Sequence, residues 1–392
     1  MAQTPNSDTF TNFDPYSVPS PCFVVDEVAV ERNLKILQRV QQESGAKILL
    51  ALKAFSMFSV APLIMRYLKG TCASGLWEAR LGKEQYGGEV HVYSAAYKQA
   101  DLGEILDIAD HVVFNTLSQW QRFQPLVQEK LKARPGLDFG LRINPLHSEG
   151  AVAMYDPCAP GSRLGTPVTQ LQGADLGGFS GLHFHTLCEQ NFAPLARTLD
   201  AVEASCGELL KQMKWVNFGG GHHITHPDYD VDGLIERIKA FSRKYEVQVY
   251  LEPGEAIAIH SGVLVSEVLD LMDNQSAVAI LDTSATCHMP DTLEMPYRAQ
   301  IFGSGEAAEL PYKYRLGGMS CLAGDVMGDY SFGQPLQVGQ RLIFDDMAHY
   351  TMVKTTTFNG VKLPALALYN SASGTVRVVR EFAYEDFRDR LS

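Results

Sequence analysis

Four groups of residues in this chain have the types and spacing of a chemical site. Lys53 closes the apolar run Ile48-Leu49-Leu50-Ala51-Leu52. Such a run suits a strand buried on both faces, and an amine desolvated at its end favours the neutral form that attacks an aldehyde. A surface lysine ending a strand has the same signature. Phe218-Gly219-Gly220-Gly221 lets backbone N–H groups approach an anion such as phosphate, although three glycines serve equally in a tight turn. Glu252, in the run Glu252-Pro253-Gly254-Glu255, is a carboxylate able to hold a protonated ring nitrogen, or else a helix cap or solvated acid. His185, with His183 two residues before it, can stack on a flat ring or sit as a satisfied core histidine. A lysine for an aldehyde, glycines for a phosphate, an acid for a ring nitrogen and a stacking imidazole together describe a pyridoxal phosphate site. His222, His223 and His226 invite a zinc reading, but no acid accompanies them at metal-ligand spacing on a helix, so no metal is expected.

These residues need elements to hold them. Short apolar runs at 47–52, 70–74, 90–94, 111–115, 138–144, 180–185, 214–218 and 247–251 read as strands. Helical patterns at 57–68, 76–86, 98–109, 117–133, 192–213 and 231–245 fill most of the gaps, and 145–179 reads as a loop rich in Pro and Gly. Buried strands alternating with helices predict an α/β fold, specifically a (β/α)8 TIM barrel, whose chemistry lies at the C-terminal ends of its strands. Lys53, Ser74, Asn115, Arg142, His185, Gly219 and Glu252 all fall at such ends. A doubly wound sheet competes, but no G-x-G-x-x-G follows the first strand. After residue 262, GVLVSEVLDLM, SAVAILDTSA, QPLQVGQRLIF and GTVRVVREF read as strands with little helix, predicting a second, all-β C-terminal domain. The predicted boundaries are a barrel over 38–262 and a β domain over 263–392, completed by residues 20–37. Residues 1–19 read as a mobile leader.

The 392 residues carry a formal net charge of -12, which argues against general nucleic-acid binding and is compatible with a cationic small substrate. Seven cysteines at wide spacings with no C-x-x-C predict a reduced, cytoplasmic chain without a disulfide framework. The polar N-terminus has no apolar signal region, and no stretch reaches the ~18 apolar residues of a membrane span.

The motifs ALKA (51–54), CASGLWE (72–78), SRLG (162–165), GLHFH (181–185), FGGG (218–221), EPGE (252–255), SCLAGD (320–325) and AHYT (348–351) resemble, in order, those of the alanine-racemase-fold, pyridoxal phosphate-dependent decarboxylases. Those enzymes include ornithine, arginine and diaminopimelate decarboxylases. The run HFHTLCEQ (183–190) and the EPGE variant most resemble the carboxynorspermidine and carboxyspermidine decarboxylases among them. The resemblance implies that Lys53 bonds the cofactor aldehyde, His185 stacks on the ring, Gly219, Gly220 and Gly221 meet the phosphate, Glu252 partners the ring nitrogen and Glu78 lies near the cofactor. It further implies that Tyr350 meets the cofactor near its phosphate. Cys321 is then the proton donor and Asp325 the acid for a distal amine, both from a neighbouring subunit, so that a homodimer has its active sites at the interface. Relatives that take diaminopimelate carry Arg at the fourth position of EPG-x; here Glu255 reverses that charge, disfavouring a distal carboxylate and favouring a long cationic substrate. Asp282 or Asp291 would serve a substrate amine, with Asp291 preferred. The predicted activity is decarboxylation of carboxynorspermidine or carboxyspermidine to norspermidine or spermidine. Ornithine or diaminopimelate decarboxylation, a racemase and a non-catalytic regulator on the same scaffold are the rivals. Glu252 argues against the racemase, since racemases of this fold resemble one another in placing Arg at the ring nitrogen.

Overall fold

The computed structural model describes residues 7–150 and 152–392. Two compact units emerge. One spans Asn33–Ile257; the other joins the described residues up to Arg32 with Ala258–Ser392.

The first unit is a closed parallel barrel. Its strands are β2 (Lys47–Ala51), β3 (Gly70–Ala73), β4 (Glu89–Tyr93), β5 (His111–Phe114), β6 (Asp138–Asn144), β8 (Gly181–His183), β9 (Trp215–Asn217) and β10 (Gln248–Leu251), with the two-residue β7 (Thr166–Pro167) beside β6. The order β5-β4-β3-β2-β10-β9-β8-β6 closes through a β5–β6 pairing, giving the eight-stranded barrel that the strand spacing predicts. The strands are short and almost wholly buried, as the apolar runs require. Leu49, Val113, Trp215 and Tyr250 pack together inside. Around Tyr250 a polar cluster occupies the starts of the strands. Lys47 Nζ donates to Glu89 at 2.6 Å and to the Tyr250 hydroxyl at 3.2 Å, and the His91 and His111 rings stack at 4.0 Å.

Several helices start where the sequence signals capping. The Thr116 side chain accepts from Gln119 N at the start of Leu117–Ala133, and Asp230 accepts from Gly233 N at the start of Val231–Tyr245. The helix expected over 57–68 is much shorter: a turn at Phe58–Val60 leads into Ala61–Ile64, with Pro62 in its first turn. Among the described residues, no helix is long and apolar enough to cross a membrane.

The second unit is built on a mixed sheet of β1 (Cys22–Asp26), β11 (Gly262–Asp273), β12 (Ala277–Leu281), β13 (Ser304–Gly305), β14 (Tyr312–Gly317), β15 (Val326–Phe332), β16 (Arg341–Phe344), β17 (Ala365–Asn370) and β18 (Thr375–Arg380). Its order is β13-β15-β14-β12-β11-β1-β17-β18, with β16 also on β11. β1 runs antiparallel to β11 and parallel to β17. Part of the predicted leader belongs to this core. Phe10 and Phe13 are 1% and 6% exposed and meet Tyr369 at ring distances of 5.4 and 5.1 Å, so 7–19 is structured; residues 1–6 lie outside the described residues. The division between units also differs from the sequence boundaries. Leu34 and Leu37 are fully buried and Asn33 Nδ2 donates to Ile257 O, placing 33–37 with the barrel, whereas Asp26 N donates to Ser261 O, placing 258–261 with the sheet.

Candidate active site

The C-terminal ends of the barrel strands carry the groups singled out by their chemistry. Lys53 lies in the turn after β2, His185 two residues beyond β8, the three glycines beyond β9 and Glu252 immediately after β10. Because β2, β10, β9 and β8 are successive neighbours, these groups share one arc of the barrel rim. Lys53 is exposed, between Leu52 and Ala54, which are 1% and 0% exposed, where the sequence suggested a buried amine. Glu78 opens the helix Leu76–Leu81 after β3, where its carboxylate accepts from Ser74 N at 2.6 Å.

Glu252 is the electrostatic centre. Its carboxylate accepts from Asn217 Nδ2 at 2.7 Å and from His183 Nε2 at 3.2 Å. Burial alone would raise its pKa, but His183 and the Asn217 donor prevail and hold it down to about 2, so the group is ionised at neutral pH. Burial pushes His183 below the ordinary histidine value. The pair is therefore a neutral imidazole donating to a carboxylate. His183 Nδ1, which has no partner among the described residues, carries only a lone pair in that tautomer.

Asn217 does two things at once. Its amide nitrogen donates to Glu252, and its Oδ1 accepts from Gly219 N at 2.8 Å, tying the glycine loop to the carboxylate. Gly220 N donates to His185 Nδ1 at 2.9 Å, and burial holds the His185 pKa well below its usual value, so that ring is neutral and oriented. Two of the loop's amides, those of Gly219 and Gly220, are thus used within the protein. Packing demands the glycines themselves: a Cβ at Gly220 would stand 2.2 Å from Glu252 O, and one at Gly221 2.0 Å from Leu187 O, with φ +81° at Gly221.

Sequence reasoning gave no role to Asn217 or His183, and none to Arg142 beyond its strand-end position. Arg142 is 5% exposed, donates from Nη2 to His185 O at 3.2 Å and lies 4.5 Å over the Tyr93 ring. Tyr93 in turn donates to Asn115 Oδ1 at 2.7 Å. The available signal was a polar residue at or near the end of an otherwise apolar strand. Glu255 lies one short step further along the rim. Its carboxylate is 3.4 Å from His223 Nε2, and Glu189, His223 and Glu255 each bring a polar atom within 4.8 Å of the others. His222 is buried and the His223 and His226 rings stand 6.0 Å apart; among the described residues the three do not form a common ligand set.

The remaining residues belong to the sheet unit. Cys321 is the one exposed cysteine of the seven, and its N–H donates to Asn359 Oδ1 at 2.9 Å. The Asp325 carboxylate is taken up locally: it accepts from Ser284 Oγ at 2.8 Å, Ser320 N at 3.1 Å and Thr286 N at 3.2 Å. Asp282 accepts from Ser266 Oγ at 2.9 Å and Glu267 N at 2.8 Å, closing its own strand pair. Asp291 accepts from the Tyr297 hydroxyl at 2.7 Å and Thr351 Oγ1 at 2.9 Å. Tyr350 holds a left-handed backbone at φ +47°.

A cofactor with a pyridinium nitrogen needs a buried acceptor that stays charged, and Glu252 is one; a cofactor aldehyde needs an accessible amine on the same rim, and Lys53 is one. The donor set fits pyridoxal phosphate, and the fold and rim together define a barrel-type pyridoxal enzyme. Residues 22–348 match the family model described as pyridoxal-dependent decarboxylase, C-terminal sheet domain. The chain belongs to the pyridoxal-dependent decarboxylases. It is 47% identical to carboxyaminopropylagmatine decarboxylase of Synechocystis sp. over 96% of each chain. It is 42% identical to the carboxynorspermidine/carboxyspermidine decarboxylase of Campylobacter jejuni over 94% of this chain and 98% of that one. The crystal structure of carboxynorspermidine decarboxylase complexed with norspermidine from C. jejuni superposes with a TM-score of 0.87, covering 95% of this chain and all of that one.

Proposed function

We propose that the chain decarboxylates carboxynorspermidine and carboxyspermidine, releasing CO2 and norspermidine or spermidine. The observation that carries this reading is the acidic character of the rim beyond the ring-nitrogen carboxylate. Glu255, with Glu189 close by, offers negative charge where diaminopimelate-specific relatives resemble one another in offering Arg. Ammonium groups of a polyamine suit that charge, and a distal carboxylate does not.

When bound, pyridoxal phosphate accepts the electron pair left at the substrate α-carbon as CO2 departs. Lys53 would hold the cofactor aldehyde and later free the product amine. Glu252, kept ionised by His183 and Asn217, would hold the proton on the ring nitrogen. His185 would lie against the ring, with the glycine loop and Tyr350 at the phosphate and Glu78 nearby. Cys321, exposed on the sheet unit, would return a proton to the α-carbon. We place it in the site of a second copy of this chain, making the working unit a homodimer in the cytoplasm, where seven free thiols stay reduced. Glu255 is the acid best placed for a substrate cation. The Asp325 carboxylate keeps acceptor capacity beyond its three local donors, and Asp291 does too, since its two donors share Oδ2 and its buried Oδ1 has no partner among the described residues; Asp282 is engaged within its own unit.

The relationship to a carboxyaminopropylagmatine decarboxylase favours a second reading, in which the distal cation is the guanidinium of an agmatine chain. The test is CO2 release from carboxynorspermidine, carboxyspermidine, carboxyaminopropylagmatine, ornithine and meso-diaminopimelate by the holoenzyme, with Lys53→Ala as the inactive control. Turnover confined to the first two supports the proposal, and turnover mainly of the agmatine derivative replaces it with the second reading. Turnover of diaminopimelate overturns the argument from Glu255.

A further inference from the structure

The segment after β16 carries Tyr350 between two contacts to carboxylates, those of Asp346 and Asp291. On one side stands Asp346. Its Oδ1 accepts from His260 N at 2.7 Å, its Oδ2 lies 3.2 Å from His260 Nδ1, and His349 Nε2 lies 3.3 Å from Oδ1. The two histidines, acting together against burial, hold its carboxyl well below the usual carboxylate range. On the other side stands Asp291, which receives the Thr351 hydroxyl at 2.9 Å and the Tyr297 hydroxyl at 2.7 Å on the same oxygen. The neighbours on the chain are equally fixed: Met347 N donates to Gly262 O at 2.9 Å, and Met347, Ala348 and Thr351 are each 1% exposed. Between these anchors Tyr350 takes φ +47°, a conformation that a bulky L residue adopts only when its surroundings impose it. All of these contacts lie within the sheet unit.

We propose that Asp346 and Asp291 are positioning residues that clamp the 346–351 segment from both sides and so set where the Tyr350 phenol stands. Asp291 thereby acts, through Oδ2, on the Thr351 side chain of its own subunit. The proposal rests on the reading that Tyr350 meets the cofactor phosphate. Clamping matters for such a contact because a phenol displaced by an ångström no longer donates to a phosphate oxygen.

The experiment is a double-mutant cycle on cofactor affinity, read as the pyridoxal phosphate dissociation constant of the dialysed enzyme. Asp346→Asn removes the charge that gathers both histidines. Thr351→Val removes the Asp291 contact with little change of volume, and serves as the second arm should Asp346→Asn fold poorly. Each is combined with Tyr350→Phe. The expected result is about a tenfold loss of affinity for Tyr350→Phe and for each clamp variant, with the double variants no weaker than Tyr350→Phe, because both changes remove one contact. Effects that multiply in the double variants overturn the clamp, since the acids then act independently of Tyr350. Clamp variants with unchanged affinity beside a weakened Tyr350→Phe overturn it as well. Unchanged affinity in Tyr350→Phe instead strikes the premise, and is told apart because the reference variant itself is silent.

Discussion

The glycine loop gives a prediction whose size follows from the structure. Gly221 and Gly45 have nearly the same positive φ, +81° and +78°, in the same unit. They differ in surroundings: a Cβ on Gly221 would lie 2.0 Å from Leu187 O, and one on Gly45 would have nothing within 4 Å. An alanine at either site meets the left-handed penalty of about 1–2 kcal/mol. Only Gly221→Ala must also move backbone, an overpacking cost of about 1–3 kcal/mol. At about 2–4 °C per kcal/mol for a unit of this size, Gly45→Ala should lower Tm by about 2–8 °C and Gly221→Ala by about 2–12 °C more. Changes in unfolded-chain entropy are the same for both substitutions and cancel. Thermal unfolding of the cofactor-free variants isolates the difference, since bound ligand would add its own stabilisation. A parallel measurement of cofactor retained after dialysis should show loss in Gly221→Ala and retention in Gly45→Ala. Two variants that melt within a degree of one another would refute the claim that the Leu187 carbonyl dictates glycine here.

Two further outcomes are expected. Glu255→Arg places like charge against a cationic substrate, at a cost of several kcal/mol, so kcat/KM for carboxylated polyamines should fall at least about 100-fold; an unchanged KM would contradict the placement of substrate cations beside Glu255. Acid should weaken the barrel through the cluster at its strand starts. His111 is depressed by burial to about 2 and Glu89 is held at about 2 by His91 and Lys47 against the opposing effect of burial. The unfolded chain takes up protons that the folded one refuses, first on histidine below pH 6.5 and then on glutamate below 4.5, so stability falls as pH drops through that window. The histidine contribution at pH 4.5 is on the order of 3 kcal/mol. Urea midpoints of the protein and of His111→Phe, compared at pH 7 and 4.5, should converge or cross on acidification; parallel curves would exclude His111 as the source.

The barrel was legible because its strands are buried on both faces and so write themselves as unbroken apolar runs. The placement of Lys53, His185, the glycines and Glu252 at the barrel rim was legible because each closes or follows an apolar run. What escaped depends on pairings that no local pattern encodes. Nothing near Asp282 in the chain marks Ser266 as its donor, and nothing near Asp291 marks Thr351 as one of its donors. The buried side of the N-terminal segment was missed for the same reason: Phe10 and Phe13 are isolated aromatics in a polar stretch, and only Tyr369 explains them. Strands β14 and β15 went unnoticed because glycine and charged residues break their alternation; β17 has neither but is short and rich in alanine, which strands disfavour, although it supplies the parallel neighbour of β1.

That neighbour has a bearing on how the chain is made. Every residue of β1 is buried, yet Ser371, which donates to Asp26 at its end, is synthesised 345 residues later. At about 5–20 residues per second a ribosome needs roughly 20–70 s to cover that distance. The whole barrel can emerge and close in the interval, while β1 waits with both edges unpaired. The order of manufacture thus makes β1 a target for holding chaperones, and a chain that stops short of β17 is left with an apolar edge open to other chains.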